Sequence, residues 1–235
     1  AFVKRALEER GLQAILAPPT APRFRNGRLM IGSTEISALY RYSPAEYMED
    51  QRNVPDLVAA IEAGKVRTIS SFSQIFMQSK LAFARVWSGL EQAFSSGDRA
   101  LLAAHVPATF EVCDIDPEQL ERERSDWVIK RALGRVGDEV FVGSLTAPAD
   151  WAPLIKDVRS RVAKGETWIA QRFVRQRAIA TPWGPRLVTL GAYVLDGSFV
   201  GYFARLTRES HCSHDALVLP VFHTDHDRSS EGVAA

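Results

Sequence analysis

The amino-acid sequence predicts an α/β protein of the α+β type, in which antiparallel sheets pack against helices. Two observations support this fold class. Short apolar runs of strand length alternate with longer stretches whose apolar residues recur at helical spacing. In addition, the strand-like runs 186–195 and 199–206 are separated by Asp196-Gly197, a pair typical of a two-residue hairpin turn. A hairpin joins antiparallel strands, so antiparallel pairing is expected in at least this part of the chain.

The composition is that of an ordinary globular protein. The chain has 235 residues, enough for one large domain or two small ones, and 46% of them are hydrophobic. The 29 basic and 28 acidic residues leave a net charge of 29 − 28 = +1. A balance this even does not indicate a nucleic acid or an anionic membrane as a partner. No apolar run reaches the roughly 18 residues that a membrane span requires.

Cysteine usage and the amino end bear on location and on the extent of the chain. Cys113 and Cys212 lie far apart and do not suggest a disulfide scaffold, which fits a reducing, cytoplasmic environment. Residues 1–10 have the pattern of an amphipathic helix rather than of a signal peptide. Because the chain starts inside this helix and without Met, we expect it to be part of a longer protein.

We predict two regions, 1–72 and 73–235. The first is small α/β structure that continues from a missing upstream part. Its predicted elements are an opening helix ended by Gly11, strands over 13–17, 28–31, 35–42 and 66–69, and a helix over 55–63 capped by Asn53.

The second region is predicted to begin with one long helix over 73–94. Its apolar positions recur at spacings of seven, four and three, and they are Phe76, Phe83, Trp87 and Leu90. Lys80 lies in the middle of this face. A lysine there either extends its stem to solvent or meets a buried anion.

Further strands and one more long helix follow a linker with a short helix over 97–109. The strands are expected over 127–130, 139–142, 167–174, 186–195 and 199–206. The helix is expected to be capped by Asp150, to end at Gly165, and to bury Trp151, Leu154, Ile155, Val158 and Val162. The tail from about residue 225 is polar and is expected to be frayed.

The most informative segment is a strand ending in Lys130 followed by the loop Gly134-Arg-Val-Gly137. Glycines let backbone N–H groups approach phosphate oxygens, and the lysine adds a positive charge to the same anion. The loop has neither P-loop nor dinucleotide-fold spacing, so an ordinary hairpin loop beside an exposed lysine is the alternative. The order strand, lysine, loop, strand, helix and third strand ending in Gln171 favours a nucleotide site.

In this order of segments the chain resembles the circularly permuted ATP-grasp proteins, the group that includes glutathionylspermidine synthase. The resemblance covers about residues 28–222 and rests on short motifs: Ile36-Ser-Ala-Leu-Tyr-Arg41, Gly64-Lys-Val66, Lys80, Val106-Pro107, Trp127-Val-Ile-Lys130, Gly134-Arg-Val-Gly137, Trp168-Ile-Ala-Gln171, Gly201-Tyr-Phe-Ala-Arg205 and Leu219-Pro-Val221. It implies an ATP-grasp-like fold in which a nucleotide is gripped between two subdomains.

The resemblance also implies roles for single residues. Those expected to hold the phosphates of ATP are Lys80, Lys130, Gly134, Arg135 and Gly137. Those expected to contact adenine and ribose are Gln171, Arg172, Phe173 and Val174. Arg205 is the expected catalytic residue, stabilising charge on the transferring phosphoryl group; a surface arginine on an edge strand is the alternative. Arg41 is expected to bind substrate or to stabilise a loop.

No metal ligand is assigned within the chain. A zinc site made from His211, Cys212, His214, His223 and His226 is disfavoured by its cramped spacing. A triad of Ser210, His214 and Asp215 lacks a nucleophile elbow. The related enzymes hold magnesium with an acidic residue and a Glu-x-Asn pair, and no Glu-x-Asn occurs here. We therefore expect the Mg²⁺ ligands upstream of Ala1; the alternative is that they were lost.

Together these expectations describe the carboxyl-terminal part of an ATP-dependent carboxylate–amine ligase. By resemblance, ATP would phosphorylate a carboxylate, and an amine would displace phosphate from the acyl phosphate to form an amide. The substrates would be small-molecule or peptide carboxylates and amines. The alternative is a non-catalytic nucleotide-binding or interaction module that lost its magnesium site.

Overall fold

The computed structural model describes residues 2–48, 50–135, 137–208, 212 and 215–222. The chain divides into two compact units, residues 1–78 and 79–235. The predicted boundary between the two regions lies earlier in the chain, between residues 72 and 73. Both units combine helices with antiparallel sheets, and the first also has one parallel pair of strands, so the predicted α+β class is confirmed.

The first unit has two small sheets and a central helix. Its elements are α1 (Phe2–Glu8), β1 (Arg23–Arg25), β2 (Arg28–Ile31), β3 (Thr34–Glu35), β4 (Ala38–Tyr40), α2 (Val54–Glu62), β5 (Arg67–Ile69) and α3 (Gln74–Gln78). Strands β1, β2 and β3 form an antiparallel sheet, whereas β4 and β5 pair in parallel. Helix α2 covers β1 and β2, and the core between them is Leu29, Met48, Leu57, Ala60 and Val66.

Two strand predictions in this unit are wrong. Residues 13–17 are irregular: Ile15 and Leu16 are exposed, and the following Pro18-Pro19 has no N–H to donate to a sheet. The predicted strand 35–42 is two strands, β3 and β4. The chain changes partners between them, because the N–H of Ile36 still donates to β2 while the carbonyl of Ser37 already accepts from β5.

Asn53 does not cap α2 through its side chain. The amide is buried, and its Nδ2 donates to the carbonyls of Pro19 and Pro22 at 2.8 and 3.2 Å. Asn53 therefore fastens the irregular proline segment to the start of α2, which begins at Val54 with Pro55 in its first turn.

The second unit is larger and contains the remaining elements. Its helices are α4 (Leu81–Trp87), α5 (Ser96–His105), α6 (Pro117–Arg122) and α7 (Pro148–Ala163). Its strands are β6 (Thr109–Glu111), β7 (Trp127–Arg131), β8 (Val140–Val142), β9 (Trp168–Arg172), β10 (Leu187–Leu195), β11 (Ser198–Thr207) and β12 (Leu217–Pro220). None of the helices in the described part of the chain is long and apolar enough to cross a membrane.

The single long helix predicted over 73–94 is wrong. The segment forms α3, α4 and a 3₁₀ turn over Leu90–Ala93. The first break falls at Lys80, whose backbone N–H donates to the carbonyl of Ala132 at 2.9 Å and so leaves the helical pattern. Phe76, expected on an inner face, is 74% exposed. Lys80 is consequently the residue before α4 and not a mid-helix lysine.

A four-stranded antiparallel sheet with the order β6-β9-β7-β8 forms the centre of the second unit. Alternate residues of its strands point to one face, where α7 packs. The core on that face includes three fully buried tryptophans, Trp127, Trp151 and Trp168, together with Ile129 and Ile155. The indole N–H of Trp151 donates to the carbonyl of Leu120 at 2.9 Å, so the polar atom of this buried ring is satisfied.

Helix α7 buries the face that its sequence predicts, with Trp151, Ile155 and Val158 buried and Leu154 and Val162 packed beside them. The capping prediction is wrong. Ala147 is the N-cap and Pro148 opens the helix, which places Asp150 in the first turn, where a carboxylate interacts favourably with the helix dipole.

Strands β10, β11 and β12 form a second antiparallel sheet. The predicted hairpin between β10 and β11 is confirmed. Asp196 and Gly197 have φ angles of 50° and 74°, as a tight turn with two left-handed residues requires.

We predict that Gly143→Ala destabilises the protein by about 2–4 kcal/mol. Gly143 follows β8, and a Cβ on it would lie 1.9 Å from the carbonyl oxygen of Arg124, so backbone would have to move. Urea denaturation measures the change in the free energy of unfolding.

Gly97→Ala is the matched control. Gly97 lies in the first turn of α5, and a Cβ there would meet only the Ser95 hydroxyl at 3.9 Å. We expect this variant to gain up to about 1 kcal/mol, because alanine restricts the unfolded chain. Equal stability of Gly143→Ala and wild type would contradict the close backbone approach.

Candidate anion-binding site

The face of the four-stranded sheet opposite the tryptophan core carries a chain of polar side chains. Lys130 is the penultimate residue of β7, and Gln171 lies in the neighbouring strand β9. The two residues are diagonal neighbours, since Lys130 pairs with Ile169 and Val128 with Gln171. The ammonium Nζ of Lys130 donates to Oε1 of Gln171 at 2.6 Å. Nε2 of Gln171 donates to the hydroxyl of Thr109 at 2.9 Å, and that hydroxyl donates to the carbonyl of Pro107 at 2.8 Å.

This chain of hydrogen bonds orients Lys130. A lysine ammonium can only donate, so it must meet the oxygen end of the Gln171 amide. Thr109 is fully buried and holds the other end of that amide in place. Lys130 is therefore held on the sheet face with donors to spare, because Gln171 uses one of its three N–H groups.

Lys80 holds the beginning of the glycine loop. Its ammonium donates to the carbonyl of Gly134 at 2.6 Å and lies 3.4 and 3.5 Å from those of Arg131 and Ala132. The backbone N–H of Lys80 also donates to the carbonyl of Ala132. Main chain and side chain of Lys80 thus fasten residues 131–134 beside Lys130.

The lysines repel each other and are partly removed from water. Burial, with a smaller contribution from the charge of Lys80, lowers the pKa of Lys130 to about 8. Burial and the charge of Arg135 lower the pKa of Lys80. Among the described residues, no carboxylate acts on either lysine to oppose these shifts. Two neighbouring lysines whose side-chain hydrogen bonds within the described residues all go to neutral oxygens, Lys80 and Lys130, favour a bound anion, which would supply the missing negative charge.

The loop that follows β7 is a tight turn that favours glycine at two positions. The N–H of Gly134 donates to the carbonyl of Arg131, and that of Asp138 donates to Arg135. A Cβ on Gly134 would lie 3.0 Å from the carbonyl oxygen of Asp138. Gly137 has a φ of 84°, a left-handed conformation that glycine adopts without strain.

A ring of four charged side chains anchors both ends of this loop. Arg131, at the loop's beginning, contacts Glu139 at 3.0 Å and Glu166 at 3.7 Å. Arg161 of α7 contacts the same two carboxylates, at 2.6 and 3.0 Å. Burial alone would raise the pKa of Glu139, but hydrogen bonds from Arg161 and Arg131 lower it.

Sequence reasoning missed this charged ring. Its members come from the end of β7, the end of the glycine loop, α7 and the turn before β9, and no local spacing links them. The indole N–H of Trp168 donates to Glu166 at 2.8 Å, which ties the ring to the tryptophan core.

The residues predicted to contact adenine follow Gln171 along β9 and beyond. Arg172 pairs with Glu123 at 2.9 Å and stacks over the ring of Trp127 at 3.9 Å. The N–H of Phe173 donates to the carbonyl of Asp126. Val174 is exposed. Their roles toward a nucleotide stay predictions.

Arg205 lies in β11, on the three-stranded sheet, opposite Thr189 and Val218. Its Nη1 lies 3.7 Å from Sγ of Cys212, and its guanidinium lies 5.2 Å from the centre of the Phe203 ring. Its Nε is buried without a hydrogen-bond partner. A catalytic role for Arg205 stays a prediction.

Arg41 belongs to the first unit and follows β4. Its guanidinium donates to the carbonyls of Ser43, Ser70 and Ser71, the last at 3.1 Å, and lies 5.3 Å from the ring of Phe72. These contacts fit the loop-stabilising alternative, and a substrate role stays a prediction.

The residues weighed for metal binding lie mostly outside the described part of the chain. This holds for His211, His214, His223 and His226, and for Ser210 of the disfavoured triad. Within the described ranges, no three His, Cys, Asp or Glu side chains come together as a metal site would require.

Comparison with known proteins gives structural similarities only. No family model matches the chain, and no curated protein matches it. Two solved structures that match are synthetases by name. D-cycloserine synthetase DcsG has a TM-score of 0.49 and 18% identity over 93% of this chain. D-alanyl-alanine synthetase A from Vibrio cholerae O1 biovar eltor has a TM-score of 0.42 and 12% identity over 90% of it. The matches span 65% and 59% of the lengths of those two chains.

We predict that Lys130→Met stabilises the nucleotide-free protein at pH 7. Burial lowers the pKa of this lysine to about 8, so its charge is unfavourable in the folded state below that pH. Removing it should raise the free energy of unfolding by about 1–3 kcal/mol, or the thermal midpoint by several degrees.

The sign of the pH dependence tests the cause. Between about pH 8 and pH 10.5 the folded state loses this proton while the unfolded state keeps it, so wild type gains stability and the advantage of Lys130→Met shrinks. Lys156→Met, on the exposed side of α7, is the control and should change little. A destabilised Lys130→Met at pH 7 would contradict a buried, unfavourable charge.

Proposed function

We propose that this protein binds the phosphates of ATP on the polar face of the four-stranded sheet. The observation that carries the proposal is the approach of Lys80 and Lys130, two partly buried cations that repel each other and have only neutral oxygen partners among the described residues. A polyanionic ligand would relieve that repulsion. The tight glycine loop beside the lysines would bring main-chain groups close to the same oxygens.

Each residue of the site would then have a distinct task. Lys130 would donate a hydrogen bond to a phosphate oxygen in addition to, or in place of, its bond to Gln171. Lys80 would keep the loop in place through its hydrogen bond to the carbonyl of Gly134. Arg135 and Gly137 would complete the phosphate contacts. Gln171 to Val174 would lie along the adenine and ribose.

We further propose that the bound ATP serves a carboxylate–amine ligase related to the circularly permuted ATP-grasp proteins. The γ-phosphoryl group would move to a carboxylate oxygen of the substrate with loss of ADP. The amine would then attack the acyl carbon, and phosphate would leave. Arg205 would stabilise negative charge during phosphoryl transfer, and Arg41 would bind substrate.

Magnesium is the usual companion of ATP in such chemistry. Within the described ranges no three His, Cys, Asp or Glu side chains come together, so no magnesium ligand is assigned to this chain. No step above therefore depends on the metal, and the lysines, the arginine and the loop would provide the charge neutralisation attributed to this chain.

Nucleotide binding has a pH signature that we predict. ATP should hold Lys130 in its charged form, so binding at pH 8 should take up about half a proton per nucleotide. Calorimetry in two buffers of different ionisation enthalpy measures this uptake. In Lys130→Met the uptake should fall toward zero, and the dissociation constant should rise by about tenfold or more.

Lys156→Met should bind ATP as wild type does. Binding of ATP without proton uptake, or with equal affinity in Lys130→Met, would place the nucleotide elsewhere. Failure of folded wild type to bind ATP or ADP would overturn the proposed site as a whole.

The ligase proposal is tested separately by trapping the acyl phosphate. Hydroxylamine converts an acyl phosphate into a stable hydroxamate, so incubation with ATP, Mg²⁺, candidate amino acids and hydroxylamine should yield hydroxamate and phosphate in equal amounts. The Lys130→Met variant should yield far less. ATP binding without hydroxamate from any carboxylate would favour the alternative of a non-catalytic nucleotide-binding module.

A further inference from the structure

A cleft lies at the end of the three-stranded sheet where β10 and β12 begin and β11 ends, and it shares no residue with the lysine site. Its volume is about 590 Å³, within the range of small-molecule sites. Leu206 and Leu217 form apolar walls, Trp183 lines one side, and Arg186 and Arg208 add positive charge.

Arg186 is the unusual member of this lining. Only 8% of its surface is exposed, although arginine is rarely buried without an acidic partner. Its side chain makes one hydrogen bond, from Nη1 to the carbonyl of the adjacent Pro185 at 2.8 Å, and no ion pair with a described carboxylate. A guanidinium has five N–H donors, so this bond uses only a small part of its capacity, and the residue lines the cleft.

The position of Arg186 is fixed by its own loop. Its backbone N–H and carbonyl exchange hydrogen bonds with Ile179 at 2.9 and 2.8 Å, which closes the loop 179–186. Within the loop, the hydroxyl of Thr181 donates to the carbonyl of Gly184 at 2.6 Å and accepts from the N–H of Trp183. The arginine and the indole are therefore presented on a closed turn, which reduces the entropy cost of ordering them around a ligand.

The charge of the lining selects the class of ligand. Arg186 and Arg208 contribute two positive charges and Asp215 one negative charge, so the described lining carries 2 − 1 = +1. A net charge of +1 suits one carboxylate better than a phosphate with two charges. The planar fork of Arg186 matches a carboxylate, and the leucines and the indole suit an apolar group attached to it.

We infer that this cleft is a binding site for a small carboxylate that carries an apolar side chain. The carboxylate meets Arg186 and Arg208, and the apolar group lies against Leu206, Leu217 and Trp183. This site goes beyond the proposed nucleotide site and does not depend on it.

The test uses N-acetyl-leucine as the probe on the full chain, with N-acetyl-leucinamide and inorganic phosphate as comparisons. Saturation-transfer NMR and a titration of protein resonances measure binding. We expect N-acetyl-leucine to bind with a dissociation constant of about 5 mM or below. The amide, which lacks the carboxylate, should bind about tenfold more weakly.

Two variants locate the site. Arg186→Gln should reduce the affinity for N-acetyl-leucine by about tenfold or more. Because Arg186 is buried and this variant can lose stability, Leu217→Glu provides an independent test: Leu217 is 40% exposed, and the added charge reduces that of the lining from +1 to 0. Leu217→Glu should reduce the affinity for N-acetyl-leucine severalfold and leave the thermal midpoint near that of wild type. Arg175→Gln, an exposed arginine that contributes nothing to the cleft, is the control and should bind normally.

Three results with the wild-type chain would overturn the inference. The first is that N-acetyl-leucine does not bind at a concentration of about 100 mM, which is 20-fold the expected dissociation constant. The second is that the acid and the amide bind equally well. The third is that phosphate binds more tightly than the acid. Unchanged affinity in both Arg186→Gln and Leu217→Glu would place the carboxylate elsewhere and would also overturn it.

Discussion

The packing of Trp127 and Trp168 from the sheet against Trp151 of α7 is the interaction on which the rest of the second unit depends. Burying three large rings on one face fixes which residues of β7 and β9 point inward. Lys130 and Gln171 fall on the other face by the alternation of the strands. Because the two strands are antiparallel neighbours in a defined register, the ammonium and the amide meet at hydrogen-bonding distance. The tryptophan core thus determines the geometry of the polar face as well as its own.

That polar face stores an electrostatic cost in the absence of ligand. Lys130 is held near Lys80 and away from water, and the result is a pKa of about 8 in place of a value above 10. The protein tolerates the cost because the tryptophan core and the charged ring stabilise the same sheet. An anion that binds between the lysines would remove this electrostatic cost. The free energy released in this way would add to the affinity for the anion.

Patterns within one segment predicted much of the fold, and long-range contacts account for most of what they did not predict. Strand β7, the buried face of α7 and the hairpin at Asp196-Gly197 are encoded by their own residues and are found in the structure. The long helix over 73–94 failed because the N–H of Lys80 bonds to Ala132, a residue fifty-two positions away in the sequence.

The candidate site divides in the same way. Lys130, the glycine loop and Gln171 are readable from the sequence, because each ends or joins a recognisable strand. The use of Lys80 as a donor to the loop carbonyls was not readable, since its spacing suggested a helix face. Arg186 carries no local signal at all: its burial depends on a loop closed by a bridge to Ile179, and nothing in the sequence reveals the cleft beyond it.

The ring formed by Arg131, Glu139, Arg161 and Glu166 has two positive and two negative members, so it is electrically neutral. It anchors the glycine loop without adding to the field that the lysines create. Replacing a member by a neutral residue breaks this neutrality in a direction set by the member lost. Loss of a glutamate would loosen the loop but make the ends of the loop more attractive to anions. Loss of an arginine would weaken both the anchoring of the loop and the attraction of anions. Mechanical anchoring and electrostatic attraction, which usually change together near a phosphate site, can therefore be separated by the sign of the charge removed.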